Sequence, residues 1–186
     1  MNVYDFDNTI FTPDSSTCFI LFCLRHYPRA VLKAMPPAAP EAVQYFAGGR
    51  KDAKRLKEAL FSFLNRLDNV DAVVSEFWEE YSGNLESWYL KQRRDDDLII
   101  SASPEFLLRP ITEQLGVRLL ATQMNPYNGR IRGRNCHDEE KVRRFLEVWP
   151  ADSIDAFYSD SLSDAPLARL AKQAWLVQDG ICLPWL

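Results

Sequence analysis

The sequence predicts an α/β fold: a parallel β-sheet flanked by helices, with an all-helical domain inserted between its first and second strands. Three observations predict it. Short apolar runs ending in polar residues recur at Val3, Leu98, Val117, Ile154 and Ala174. From Leu98 onward, helical patterns separate these runs, and that alternation implies parallel strands with helices on both faces. Between the first run and the second lie about eighty residues of helical pattern with no strand candidate. The chain therefore divides into an α/β core, residues 1–11 and 95–186, and a helical cap domain, residues 12–94.

The elements follow in order. Met1–Phe11 reads as a buried strand and its exit. Thr12–Ser16 is a turn leading into a helix cap, and Phe19, Ile20, Phe22, Cys23 and Tyr27 give a helix that closes near Pro28. Met35–Pro40 and Gly48-Gly49 are breaks. From Lys51, Leu56, Leu60, Phe63, Leu64 and Leu67 fall at i, i+4, i+7, i+8 and i+11, which predicts one continuous helix. Val70, Val73, Val74, Phe77, Trp78 and Tyr81 predict another. Arg93–Asp97 is a charge run expected on a solvated linker. Leu98–Ile100 is a buried strand. Ser103 as N-cap and Pro104 at the first helical position predict a helix start. Val117–Ala121 is the next strand, Asn125–Gly129 a turn, and Arg130–Gly133 the return of a small hairpin. Asp138–Trp149 is a helix, Ile154–Tyr158 a strand, Ser163–Ala171 a helix, and Ala174–Val177 a strand that Asp179-Gly180 turns into a terminal hairpin.

Composition narrows the function. The chain has 186 residues, 47% of them hydrophobic, enough to bury a substantial core. A net charge of −4 argues against nucleic acid as the main partner. Cys18, Cys23, Cys136 and Cys182 are scattered without a CxxC pair, so reduced thiols in a cytoplasmic chain are expected, with neither zinc nor disulfides. The longest apolar run, Cys18–Leu24, is too short to span a membrane. Asp5, Asp7 and Asp14 precede it where a signal peptide would carry basic residues. No feature assigns an oligomeric state.

The chemistry concentrates at strand ends. Asp5 and Asp7 lie two apart where the first strand finishes, the position at which open α/β sheets bind ligands. Carboxylates that close repel one another and call for a cation or a shared proton. Ser101 and Asp160 follow later strands. Lys141 stands in the first turn of its helix, where the dipole opposes a cation, and a shared anionic ligand would resolve that conflict. Singly, each residue has a plainer reading: turn aspartates, a helix-capping serine, a surface lysine, loop acids. His26 and His137 have no evident partners and are assigned to no metal.

These residues resemble the haloacid dehalogenase superfamily of phosphohydrolases, and within it the phosphoserine-phosphatase-like branch, subfamily IB. Asp5-Phe6-Asp7-Asn8-Thr9 is similar to the family's DxDxT motif. Ile99-Ile100-Ser101 resembles its strand ending in Ser or Thr, Lys141 its lysine, and Asp160 with Asp164 its pair of acids four apart. The order matches over the whole chain, and the helical block matches the cap that this branch carries.

The resemblance implies a Rossmann-like core and a Mg²⁺-dependent phosphatase acting on a small phosphorylated metabolite. Asp5 would attack phosphorus and Asp7 would act as general acid and base. The Asp5 carboxylate, the Asp7 main-chain carbonyl and Asp160 would hold Mg²⁺, with Asp164 orienting Lys141 or supporting the metal. Ser101 and Lys141 would hold phosphoryl oxygens, with Asn8, Thr9 and Ala102 lining the substrate site. Asp14 and Arg50 are the cap residues expected to read the substrate. Some cap aromatics are candidates to line the pocket, and most are expected in the core. The alternatives are a lipid-phosphate or protein-phosphate phosphatase, or a non-catalytic phosphate-binding module that keeps the fold. Asp7 argues against dehalogenase chemistry, which has no leaving group to protonate.

Overall fold

The computed structural model of the chain describes residues 1–34 and 53–185. Arg50 and the expected breaks at Met35–Pro40 and Gly48-Gly49 lie outside the described residues. A six-stranded sheet in the order β3-β2-β1-β4-β5-β6 forms the centre. It comprises β1 (Asn2–Tyr4), β2 (Leu98–Pro104), β3 (Arg118–Thr122), β4 (Ala156–Ser159), β5 (Gln173–Gln178) and β6 (Ile181–Pro184). Neighbours from β3 through β5 are parallel, and β6 pairs antiparallel with β5. Asp179 and Gly180 at the β5–β6 turn both take positive φ (49° and 75°), which suits a two-residue hairpin.

The strand order places the site. Val3 of β1 pairs with Leu98 of β2 on one side and with Phe157 of β4 on the other. Chain order therefore reverses at β1, and the crevice at such a reversal is where open α/β sheets bind ligands. Asp5 leaves β1 there, Ser101 lies in β2, and Asp160 follows β4.

Helices α1 (Ser15–His26), α2 (residues 28–34), α3 (Ala53–Leu60), α4 (Val70–Tyr81) and α5 (Ser87–Gln92) lie between β1 and β2 in the chain. Their aromatics mostly serve the core: Phe19, Phe22, Phe61, Phe63, Phe77 and Trp78 are buried in one cluster with Tyr4, Phe6 and Ile99. Helix α6 (Glu105–Leu115) joins that cluster through Leu107, Leu108 and Ile111, and the Trp78 indole N–H donates to the Leu107 carbonyl at 2.6 Å. The other face of the sheet packs Val3, Leu98, Ile100 and Phe157 against Phe145 of α7 (Glu139–Leu146) and Leu167 of α8 (Ala165–Ala168). Among the described residues no helix is long and apolar enough to cross a membrane. All four cysteines are free thiols.

Four local expectations are corrected. The run from Lys51 to Leu67 is not one helix: α3 stops at Leu60 and a 3₁₀ turn covers Ser62–Arg66. Phe61 and Phe63 would face opposite sides of a straight helix, whereas here both are buried with ring centroids 6.2 Å apart. The small hairpin presses on the break, because a Cβ on Gly129 (φ 69°) would lie 2.5 Å from the Phe61 carbonyl oxygen. Second, Ser103 caps no helix; β2 continues to Pro104, which is the N-cap of α6. Third, Asp97 is not solvated but fully buried, and its Oδ2 accepts from the Arg94 N–H at 2.8 Å in the turn that starts β2. Fourth, the two late helices are shorter than expected, the second opening with a 3₁₀ turn over Leu162–Asp164.

Helix α3 is fastened to the core at three points. Lys54 Nζ donates to the Gly133 carbonyl at 2.7 Å, Lys57 Nζ to the Ala102 carbonyl at 2.7 Å, and Glu58 Oε1 accepts from the Ile131 N–H at 2.9 Å. Helix α7, which carries Lys141, is tied down by its own ion pairs. Glu140 Oε1 accepts from Arg144 Nε at 2.9 Å, and Arg144 reaches the Ala121 and Arg134 carbonyls. Hydrogen bonds from Arg143, with those from Arg144, pull the buried Glu140 carboxyl down to about 2. A depressed carboxyl stabilises the fold above its unfolded value and loses that contribution as pH falls through about 2. Glu140→Gln is therefore expected to cost about 2 kcal/mol at pH 7, with the difference from wild type shrinking steadily below pH 4 in urea melts.

Candidate active site

Lys141 is the hub of the site. It comes from the first turn of α7, is 2% exposed, and places Nζ 2.8 Å from Asp5 Oδ1 and 2.6 Å from Asp164 Oδ2. Burial opposes its charge, but Asp5 and Asp164 outweigh that and hold its pKa above the usual lysine range. The conflict with the helix dipole is thus met by two carboxylates of the protein itself. Asp164 Oδ2 also accepts from the Ser159 hydroxyl at 2.8 Å.

Asp5 continues the sheet ladder, its N–H donating to the Tyr158 carbonyl at 2.8 Å. Burial raises its carboxyl to about 7; Lys141 pulls the other way, and the Asp164 charge pushes up again. Asp7 is held quite differently. Its Oδ1 accepts from the Ser15 N–H at 2.7 Å and its Oδ2 from the Ser103 hydroxyl at 2.5 Å. Burial and then the Asp14 charge raise its pKa, against those two hydrogen bonds. The sharp turn between the aspartates and α1 uses Asn8 in the left-handed region (φ 54°).

Asp160 is brought in by Thr9, whose fully buried Oγ1 accepts the Asp160 N–H at 2.9 Å. Burial raises the Asp160 carboxyl as well. The Ser101 hydroxyl is buried and accepts the Ser103 N–H at 3.0 Å. The Ala102 carbonyl accepts from both Lys57 Nζ and Thr122 Oγ1, each at 2.7 Å. Asp14 caps α1, with Oδ1 accepting from the Thr17 N–H at 2.6 Å. The structure thus joins Asp5, Lys141 and Asp164 directly, and Thr9 to Asp160. It links Asp7 to Ser101 only through Ser103.

Two residues here escape sequence reasoning. Lys57 extends from α3 to the core loops, also meeting Asn135 Oδ1 at 3.2 Å. Among the described residues both its hydrogen-bond partners are neutral, and burial lowers its pKa against the pull of Asp7 and Asp14. Its signal was a lysine at helical spacing from Ala53 and Phe61, on a face expected to be apolar. Ser103 looks like a helix cap in sequence, and the one contrary signal is that Pro104 can itself begin a helix.

The donors can be weighed against a hard divalent cation. Asp5 and Asp160 are both raised by burial, so each gains from a nearby positive charge. Asp164 Oδ1 is buried without a hydrogen-bond partner. Among the described residues no group of three or more His, Cys, Asp or Glu is placed to hold a metal. Two carboxylates and a main-chain carbonyl form a smaller side-chain set, which fits an ion that keeps several waters.

Comparison with known proteins bears on the family and the fold. A family model described as haloacid dehalogenase-like hydrolase matches residues 3–169. Protein CicA of Caulobacter vibrioides (strain NA1000 / CB15N) is 26% identical over 191 residues, covering 91% of this chain and 82% of that protein. A protein with unknown function from Bordetella pertussis Tohama I is 20% identical with a TM-score of 0.76, covering 95% of this chain and 88% of that one. A phosphoserine phosphohydrolase-like protein from Francisella tularensis subsp. tularensis SCHU S4 is 16% identical with a TM-score of 0.56, covering 97% and 89%. At these identities the two structures show a shared fold.

Proposed function

The chain belongs to the haloacid dehalogenase-like hydrolases, and from that premise we propose that it is a Mg²⁺-dependent phosphatase of small phosphomonoesters. The observation that carries this reading is the unequal treatment of two carboxylates two residues apart. Asp5 is locked against the Lys141 ammonium, whereas Asp7 is turned onto the Ser15 N–H and the Ser103 hydroxyl. One is set to attack and the other to move a proton.

In the first half-reaction an Asp5 oxygen forms a bond to phosphorus. The ester P–O bond breaks, and its electron pair leaves on the alcohol oxygen, which takes a proton from the Asp7 carboxyl. In the second, Asp7 removes a proton from water as that water attacks phosphorus. The aspartyl P–O bond breaks back to Asp5 and phosphate departs. Lys141 and Ser101 hold phosphoryl oxygens, and Asp164 with Ser159 holds Lys141 in place. The Asp5 carboxylate, the Asp7 carbonyl and Asp160 would hold Mg²⁺, which when bound neutralises phosphoryl charge. Asn8 and Thr9 shape the turn at the phosphoryl end.

Residues 12–94 act as the cap in this proposal, and Lys57 is the cap cation that faces the substrate. Asp14 is engaged at the α1 N-terminus. A partly buried ammonium with neutral partners favours a leaving group that carries an anion. Lys57→Ala is accordingly expected to raise KM about tenfold for a phosphorylated carboxylic acid and far less for an aryl phosphate whose aryl group carries no charge. Steady-state kinetics on both ester types checks it; equal changes on the two would remove Lys57 from recognition.

The reading as a whole is tested by hydrolysis of p-nitrophenyl phosphate and a panel of phosphorylated metabolites. Turnover is expected with Mg²⁺ and is expected to vanish with excess chelator. Silence of wild type across the panel would favour the non-catalytic alternative.

A further inference from the structure

We propose that Ser103 aims the Asp7 carboxyl at the leaving oxygen, which makes it a positioning residue for protonation of the leaving group. The proposal rests on the phosphatase reading above. Ser103 is 2% exposed, and its Oγ meets three groups: Asp7 Oδ2 at 2.5 Å, Ser16 Oγ at 2.9 Å and Ser15 Oγ at 3.2 Å. A hydroxyl carries one proton and two acceptor sites, a carboxyl oxygen that bears no proton only accepts, and Ser103 Oγ donates to Asp7 Oδ2. The proton of Ser103 therefore goes to Asp7. The Ser15 and Ser16 hydroxyls, both at the N-terminus of α1, then donate into Ser103. This assignment fills the bonding capacity of Ser103 and fixes the direction of its donor.

The second hold is the Ser15 N–H on Oδ1. With one donor on each oxygen, turning the carboxyl about its Cβ–Cγ bond would break both hydrogen bonds. Each oxygen keeps a free acceptor site, where the catalytic proton is carried. Without Ser103, only Ser15, through its N–H and its hydroxyl, would remain to hold the carboxyl, and Oδ2 would lose its donor. The Ser103 proton is not diverted to a helix cap, since α6 begins after Pro104. Ser103 acts through Asp7 and need not touch the phosphoryl group.

Leaving groups separate this role from a merely structural one. An alkoxide is a strong base and must be protonated as it leaves, whereas p-nitrophenolate is a weak base and leaves without a proton. The experiment compares kcat/KM for wild type, Ser103→Ala, Ser103→Thr and Asp7→Asn with Mg²⁺. The substrates are p-nitrophenyl phosphate and the alkyl phosphomonoester that wild type turns over best in a metabolite panel. Ser103→Ala is expected to lose about 30-fold on the alkyl ester and under about threefold on the aryl ester. Asp7→Asn should show the same contrast more strongly, and Ser103→Thr should recover most of the alkyl rate. Retained aryl turnover reports that the variants fold. An equal loss on both esters, or none on either, overturns the assignment while leaving the phosphatase reading in place. Wild type inert on both classes overturns the two together.

Discussion

Asp5→Asn is expected to lose p-nitrophenyl phosphatase activity by about 10⁴-fold or more while remaining folded. The substitution keeps shape and an acceptor oxygen for Lys141, but the amide has no charge with which to attack phosphorus. The same variant has a second signature. In the metal-free protein burial holds the Asp5 carboxyl at about 7. Between its ordinary value and about 7, the folded protein keeps a proton that the unfolded chain has released. Stability is thus fullest at acidic pH and is lost as pH rises through about 7, by at most about 1.4 kcal/mol per pH unit. Asn has nothing to titrate, so the melting temperature of Asp5→Asn should fall less between pH 5 and pH 8 than that of wild type. Activity within tenfold of wild type would move the nucleophile elsewhere. Parallel melting curves would mean that Asp5 is ionised across the whole range.

Lys141→Ala is expected to damage both activity and fold. It leaves Asp5 and Asp164 buried without the ammonium that lies 2.8 Å and 2.6 Å from them. Breaking a buried ion pair from one side costs roughly 3–5 kcal/mol. In a chain of this size that lowers the melting temperature by about 10 °C. Turnover should fall at least about 10³-fold, because the phosphoryl group loses its point charge. At acidic pH one carboxyl takes a proton and repulsion eases, so the gap from wild type should narrow between pH 7 and pH 5. Lys141→Arg should rescue little, since a planar fork does not fit a site built around one small ammonium. Unchanged stability in Lys141→Ala would mean that the carboxylates find other partners, and Lys141 would no longer be the hub.

The strand ends were legible because each is a local event: an apolar run that stops in a polar residue. Val3-Tyr4-Asp5 and Tyr158-Ser159-Asp160 announce themselves within a few residues, whereas Ile99-Ile100-Ser101 marks its strand but not the end, since β2 runs on to Pro104. The parallel arrangement then follows from the helices between them, and the strands from β3 through β5 are parallel. Lys57 and Ser103 were not legible for the complementary reason. Periodicity reports which face of a helix is covered but not what covers it. Lys57 meets Ala102 and Asn135, and Ser103 meets Asp7, across large separations in the chain. Asp97 was misread for a related reason: a charge run looks solvated until one member folds back on its own turn. The helix break at Phe61 needed the hairpin that presses against it.

The fastening of α3 has an evolutionary meaning. Lys54, Lys57 and Glu58 each reach a main-chain atom, those of Gly133, Ala102 and Ile131, although Lys57 also meets the Asn135 side chain and Glu58 that of Arg130. Every amino acid offers a carbonyl, and all but proline offer an N–H. The main-chain part of this attachment survives side-chain changes in the segments beneath, Gly129 and Asn135 excepted. Such an attachment lets descendants of one catalytic core acquire new substrates by rewriting a short helix, while the machinery under it stays as it was.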